Sequence, residues 1–349
     1  MNSIPFSTRV QYEMIWAARM LYQNDHLFKK KEKRLERRII SKNDLSEAEA
    51  RIVPLDEVHI RDFDPETFAK KYVCKRPLVI REAFKHSVPV QKWDLNFLKS
   101  QFPDVLVPVH ERAEKGSSLY DKGIVECPLG EFIEDVQARK GSKYMVGSST
   151  LLGHGDRQLV KDIPLQEITE LFSIHILRPE LFIGNENNWS PWHSAGPETF
   201  FIQVHGQKEW KFVDPKYTSL MYPAYGYING PAAVQTQIEL QNLDAYPLYN
   251  LPQIYTVTLE PGDLLYNAPH WWHEVTNIGE TIGMPLRVAP RKMRHNPFLF
   301  INKVQMLNAM RSKTWRKILR DMAVNKFQKK SLSEIDMNDD PVKMSYKNK

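Results

Sequence analysis

Two histidines stand in segments of the kind that put a side chain inside a β-barrel. His193 lies in Ser190-Pro-Trp-His-Ser-Ala-Gly-Pro-Glu-Thr-Phe-Phe-Ile-Gln-Val-His-Gly-Gln-Lys-Glu-Trp210, and His273 in Glu260-Pro-Gly-Asp-Leu-Leu-Tyr-Asn-Ala-Pro-His-Trp-Trp-His-Glu274. Each segment couples a β-rich run bounded by glycine to a histidine at a strand end, and in a small barrel such positions face the interior or the mouth. Two neutral imidazoles meeting there would form half of a transition-metal site, suited to Fe, Zn, Cu or Ni. A lone histidine on an apolar strand is more often a satisfied core residue. The pairing of these two contexts is what makes metal binding the better reading.

The runs Phe-Phe-x-Gln-Val-x-Gly-x-Lys, from Phe200 to Lys208, and Pro-Gly-Asp-Leu-Leu-Tyr-x-x-Pro-x-Trp-Trp-His, from Pro261 to His273, are specific in combination and insufficient singly. Upstream, Lys75-Arg-Pro-Leu-Val-Ile-Arg81 and Lys92-Trp-Asp-Leu-Asn-Phe-Leu98 add a weaker signal. On these residues the sequence resembles the JmjC-type, cupin-like branch of the iron(II)/2-oxoglutarate oxygenases. It is most similar to the small hydroxylases of that branch, including the asparaginyl-hydroxylase type, over roughly residues 52–291. The resemblance implies a mainly β fold, a double-stranded β-helix (a jelly-roll, cupin-like JmjC barrel) with flanking N-terminal and C-terminal helices. It makes His193 and His273 the metal ligands and Lys208 the partner of the far carboxylate of 2-oxoglutarate. Ser190 becomes a hydroxyl near that carboxylate, and Thr199 takes the place of an amide near the co-substrate. Tyr144 matches a pocket-lining position loosely. Arg287, on the last expected strand, either reaches an anionic co-substrate or forms an ion pair, and the ion pair is favoured.

The family pattern breaks at one position. Iron(II) oxygenases use two histidines and one carboxylate on one face of the ion. Residues two apart on a strand share a face, which assigns the carboxylate to position 195, and that residue is Ala195. Three consequences compete. The vacancy could admit a halide, as in radical halogenases that resemble this superfamily. The site could be degenerate, leaving a catalytically inactive binding or scaffold protein. Another side chain or water could complete the shell, with His205, His270 and Asn267 nearest; spacing selects none, and Glu198 is badly placed. Retention of His193, His273 and Lys208 together argues for retained metal chemistry, with Fe(II) and 2-oxoglutarate as cofactors and chloride as a further ligand of a halogenating centre. The expected substrate is an amino acid, a peptide or protein residue, or a small metabolite, oxidised at an unactivated carbon.

The elements that must position these residues follow from patterning. Apolar residues at three- and four-residue spacing predict helix from about residue 8 to 40, within an N-terminal segment 1–50. The barrel domain spans 51–292. Its strands are expected at Pro77–Ile80, Val105–His110, Lys143–Val146, Phe200–Val204, Glu209–Val213, Ile254–Leu259, Asp263–Tyr266 and Thr281–Val288, with helix over Leu95–Phe102. Pro and Gly punctuate them, and Asn277 to Gly279 reads as one such break. The turn around His154 with Asp156 and Asp162 suggests a loop over the barrel mouth, and Glu198 and Glu209 read as surface residues. A helix over 293–330 carries an apolar stripe through which the resemblance implies a homodimer, and 331–349 reads as a flexible tail.

Composition is that of a folded protein: 42 % of the 349 residues are hydrophobic and 26 % charged, enough for a sizeable core. The net charge of +6 is concentrated in basic runs such as Lys29–Arg38. Interleaved Glu32 and Glu36, with no nucleic-acid motif, favour a solvated helix face over a nucleic-acid partner. Two cysteines cannot build a disulfide framework. No leader or membrane span is expected, and the chain reads as cytoplasmic.

Overall fold

The computed structural model describes residues 5–22, 24, 26–42, 51–111, 123–140, 143–155, 157–196, 198–223, 233–236, 238 and 240–288. The C-terminal helix over 293–330, the homodimer it would support and the tail 331–349 lie outside the described residues.

The chain opens with α1 (Phe6–Tyr22) and α2 (Lys29–Ile40), then β1 (Ile52–Pro54), β2 (Glu57–His59), α3 (Pro65–Lys71), β3 (Leu78–Arg81), α4 (Val88–Lys92) and α5 (Leu95–Gln101). It continues through β4 (Leu106–Glu111), β5 (Gly123–Pro128), α6 (Leu129–Gln137), β6 (Lys143–Ser148), α7 (Thr150–Gly153), α8 (Gln158–Asp162) and α9 (Leu165–Phe172). The barrel itself is β7 (Ile176–Pro179), β8 (Leu181–Gly184), β9 (Trp189–Ala195), β10 (Thr199–Val213), β11 (Ala233–Gln235), β12 (Ile254–Leu259), β13 (Leu264–Asn267) and β14 (Trp272–Val288). Side-chain caps fix several helix starts: Asp64 accepts from the amides of Glu66 and Thr67 at α3, and Asp94 from that of Phe97 at α5, satisfying donors that a helix start leaves open.

Two long strands organise everything else. β10 and β14 pair antiparallel along their whole lengths, and each changes neighbours half-way. The first half of β10 pairs with β13 and the second half with β12; the first half of β14 pairs with β9 and the second half with β7 and β8. The strand order therefore resolves into two sheets, β2-β3-β13-β10-β14-β8-β6-β4-β5 and β1-β12-β10-β14-β9-β11. Strands turn such corners at bulges, and the β10–β14 register slips between Gln203 and His205 and again between His205 and Gln207. Gly206 sits at this corner with φ 64°, where an added Cβ would lie 1.9 Å from the carbonyl oxygen of Glu280.

Four sequence expectations are corrected. The single helix over 8–40 is two helices, because the chain turns at 26–28 and Phe28 takes a left-handed conformation (φ 58°). The break expected at Asn277–Gly279 is internal to β14, and the runs Phe200–Val204 and Glu209–Val213 are halves of one strand. In each case a bulge or glycine bends the strand without ending it. Glu198 is buried (2 % exposed), not on the surface, and its carboxylate accepts from the Tyr266 hydroxyl at 2.8 Å. The segment around His154 lies at the junction of α7 and α8, where His154 meets the ring of Phe102 and Asp162 accepts from the Trp93 indole.

Both sheets are covered outside. Phe68 of α3 and Phe172 of α9 pack on Phe200 and, for Phe68, Tyr266. Trp16 of α1 joins Trp192, Val213 and Trp272 on the outer face of the other sheet. Since alternate residues point to opposite faces, the neighbours of these outward residues point into the space between the sheets.

No helix among the described residues is long and apolar enough to cross a membrane. On α2 both acids turn inward, Glu32 to Arg19 and Glu36 to the Tyr222 hydroxyl, while Lys29, Lys30, Lys31, Lys33, Arg34, Arg37 and Arg38 are exposed. Cys74 and Cys127 form no disulfide.

Candidate metal and co-substrate site

Strand register brings the two histidines together. His193 of β9 is the direct cross-strand partner of His273 of β14, and such partners share a face with Cβ atoms about 5 Å apart. Their ring centroids are 4.1 Å apart. Each Nδ1 is set against a backbone carbonyl, His193 with Pro191 at 2.8 Å and His273 with Trp271 at 2.9 Å. A carbonyl only accepts, so each Nδ1 carries the proton and each Nε2 keeps the lone pair that a metal requires. Burial, and after it the neighbouring His193, holds His273 well below the usual imidazole range, so the ring is neutral at pH 7. Trp271 and Trp272 are core packing: their indoles donate to the Lys75 carbonyl and to the Thr218 hydroxyl, pinning the start of β14.

A second bulge places Ser190. Between His273 and Val275 the β9 register runs from His193 to Ser190, three residues against two. The extra residue on β9 returns Ser190 to the face of His193. The same inner face carries Trp210 and Phe212, whose rings lie 5.7 and 6.0 Å from that of His273.

Lys208 is on this face too, opposite Asn277 of β14. It is only 1 % exposed, and its ammonium donates to Asn277 Oδ1 at 2.5 Å and to the Tyr144 hydroxyl at 3.2 Å. No carboxylate lies within ion-pair distance of it among the described residues, and burial pulls its pKa down to about 7. A buried ammonium with neutral partners alone is a strained arrangement that an incoming carboxylate would relieve. Tyr144 comes from β6 and is itself 1 % exposed. Gly283 makes room for the lysine: an added Cβ there would lie 3.1 Å from Lys208 Cε and 2.2 Å from the Phe201 ring.

The facing sheet contributes a polar row. Thr199 of β10 is flanked by Asn267 of β13 and Arg287 of β14. Arg287 donates to the Thr199 hydroxyl at 3.4 Å and to Glu180 at 2.9 Å, and Arg178 donates to the other oxygen of Glu180 at 2.7 Å. The ion-pair reading of Arg287 therefore describes this structure. Asn267 reaches across, with its amide nitrogen 3.4 Å from His273 Nε2.

The position two after His193 is a methyl group. Among the described residues, no group of three or more His, Cys, Asp or Glu side chains is placed to hold one ion. Ala195 is tied by its backbone, its carbonyl accepting from the His270 amide at 2.7 Å. The donor set fits a metal held by two imidazoles, and the buried ammonium of Lys208 beside the Tyr144 hydroxyl fits a carboxylate.

Sequence reasoning did not find Asn277, which reads as turn punctuation until β14 is seen to run through it. Nor did it explain the Pro-Gly-Asp motif. Asp263 accepts from Arg81 and from the amides of Glu82 and Glu260. Gly262 has φ 93°, and an added Cβ would lie 2.6 Å from Lys85 Cα. The motif locks the turn that leads into β13, and hence the position of Asn267.

The profile of the cupin-like domain matches residues 65–289, which contain every residue of this site. The chain is similar to HSPB1-associated protein 1 homolog of Danio rerio (33 % identical over 101 residues, 28 % of this chain and 22 % of that protein). It is similar to Jumonji C domain-containing protein 5 of Drosophila melanogaster (25 % over 237 residues, 64 % and 56 %). It is also similar to tRNA wybutosine-synthesizing protein 5 of Danio rerio (26 % over 244 residues, 64 % and 72 %). The chain thus spans about a fifth and just over half of the first two of these relatives.

Proposed function

The chain belongs to the cupin-like, JmjC-type domain family, and on that premise we propose that it is an iron(II)- and 2-oxoglutarate-dependent oxygenase acting on an unactivated carbon of an amino acid, a peptide or protein residue, or a small metabolite. The observation that supports this most is one inner face carrying two imidazoles side by side, with His273 neutral, and a buried ammonium without a carboxylate partner among the described residues. His193 and His273 would hold iron, and the Pro191 and Trp271 carbonyls keep both rings in the metal-binding tautomer. Lys208 and Tyr144 would take the far carboxylate of 2-oxoglutarate, with Asn277 steering the ammonium. Ser190 and Thr199 offer hydroxyls on the two facing walls. Phe201 and Trp210, with rings 5.0 Å apart, exclude water from the space between. When bound, the iron couples oxidation of 2-oxoglutarate by O₂ to oxidation of the substrate carbon.

The test is anaerobic loading of the purified protein with iron(II) and 2-oxoglutarate. One iron per chain and a weak visible charge-transfer band are expected. His193→Ala and His273→Ala should lose both, whereas Lys208→Met should keep the iron and lose the band. Absence of iron uptake by the unaltered protein would favour a binding or scaffold protein.

A second outcome of the chemistry rests on Ala195. Iron(II) with two neutral imidazoles keeps its full charge and welcomes an anion. Chloride beside the Ala195 methyl would turn hydroxylation into halogenation. A band that shifts with chloride, and ceases to shift in Ala195→Asp, is the expected signature of that outcome; indifference to chloride removes it.

A further inference from the structure

The missing carboxylate leaves open what else the protein offers the ion. Asn267 lies at the end of β13, directly after the Pro-Gly-Asp turn and its short strand. It is 7 % exposed, and its Oδ1 has no hydrogen-bond partner among the described residues. Buried amide oxygens are normally bonded. Its Nδ2 stands 3.4 Å from His273 Nε2, the nitrogen that carries the lone pair.

Two observations give this contact meaning. The oxygen and nitrogen of an amide are exchanged by a half-turn of the terminal torsion, and which one faces a neighbour is set by the network around it. With an ion present the oxygen would face it, which removes the unsatisfied acceptor. The spacing also fits. Two donors each about 2.1 Å from one ion, at about 90–110° to each other, lie roughly 3.0–3.4 Å apart. The 3.4 Å between Asn267 Nδ2 and His273 Nε2 is therefore a separation expected of neighbouring ligands on one ion. Asn267 approaches from the sheet opposite that of the histidines, so three donors would come from β9, β14 and β13.

We propose that Asn267 Oδ1 is the third protein ligand of the ion held by His193 and His273, in place of the carboxylate that Ala195 does not supply. This rests on the reading that the two histidines bind a metal. The ligand set is then uncharged, so the ion keeps its full positive charge and binds the carboxylate of a co-substrate more strongly than a two-histidine, one-carboxylate centre would.

The experiment uses the full chain and cobalt(II) alone, without oxygen or co-substrate. It reads the dissociation constant by calorimetry and the ligand-field absorption bands. Asn267→Ala should weaken cobalt binding at least tenfold, the scale seen even for residues that only orient ligands, and should change the bands. Asn267→Asp, nearly the same shape, should tighten binding about tenfold. Adding Ala195→Asp to Asn267→Ala should restore affinity. Wild-type affinity and bands in both Asn267 variants would overturn the assignment, and the aspartate variant carries the test if the alanine variant does not fold. The underlying reading is separated by His193→Ala: if that variant binds cobalt as the wild type does, the metal site itself is elsewhere. If only His193→Ala loses binding, the site stands and Asn267 is not a ligand.

Discussion

Replacing Lys208 by methionine should make the protein more stable and less able to bind 2-oxoglutarate, the co-substrate proposed for it. Burial draws the ammonium from 10.5 to about 7. At ~1.4 kcal/mol per pKa unit, keeping it protonated costs the fold ~5 kcal/mol below pH 7. The variant removes that cost but leaves Asn277 Oδ1 without its ammonium donor, a loss of about 1–3 kcal/mol. The net expected gain at pH 6 is ~2–4 kcal/mol, a rise of roughly 5–15 °C in melting temperature for a domain of this size. The sign with pH follows from linkage. The unfolded lysine holds its proton up to 10.5 while the folded one releases it near 7, so between these values the folded state binds fewer protons and the wild type gains stability as pH rises. The advantage of the variant therefore narrows above pH 7 and is gone by about pH 10. For 2-oxoglutarate the sense reverses. A charge-assisted hydrogen bond is worth about 1.5–3 kcal/mol, so affinity should fall roughly 10- to 150-fold. Thermal melts of both proteins at about pH 6, 8 and 9.5 without co-substrate, with calorimetric titration of 2-oxoglutarate, read all three effects. A variant less stable than the wild type at pH 6, a gap that does not vary with pH, or undiminished 2-oxoglutarate affinity would refute the reasoning.

Gly206→Ala should destabilise the barrel by ~3 kcal/mol or more, because φ is 64° and the new Cβ would lie 1.9 Å from the Glu280 carbonyl oxygen; strain and overlap act together there, and denaturant unfolding measures it. His270 is held down to about 4 by burial, so folded and unfolded states differ in bound protons from there to the ordinary imidazole value of 6.5. Its contribution is present above pH 6.5 and lost as pH falls towards 4. His270→Asn, which tolerates the left-handed φ of 65°, should flatten that acid loss in a stability-versus-pH curve. Glu180→Gln should free Arg287 and Arg178 from their shared carboxylate and lower stability by about 1–3 kcal/mol. Chemical denaturation measures the loss.

How much was legible beforehand differs between the motifs and the strands that carry them. His193, His273 and Lys208 were picked out because each sits in a short segment that matches the family pattern: a glycine that bends a strand, paired tryptophans that bury, a lysine two residues past that glycine. The barrel was readable from short apolar runs between proline and glycine. The extent of the strands was not, since a bulge and a break look alike in one dimension. Gly206 and the Asn277–Gly279 run both lie inside strands that turn a corner.

The amino-acid sequence on its own determined the two imidazoles, the lysine and the methyl group at position 195. Those are facts of residue type at fixed spacing, and chemistry reads them directly. Only the folded chain decided that Ser190 shares the face of His193, that Asn277 lies opposite Lys208, that Glu180 takes up Arg287 and that Asn267 reaches His273 from the other wall. Each of these depends on pairing between strands far apart in sequence. A slip of one residue at a bulge moves a side chain from the core to the opposite face, and nothing local to that residue records it.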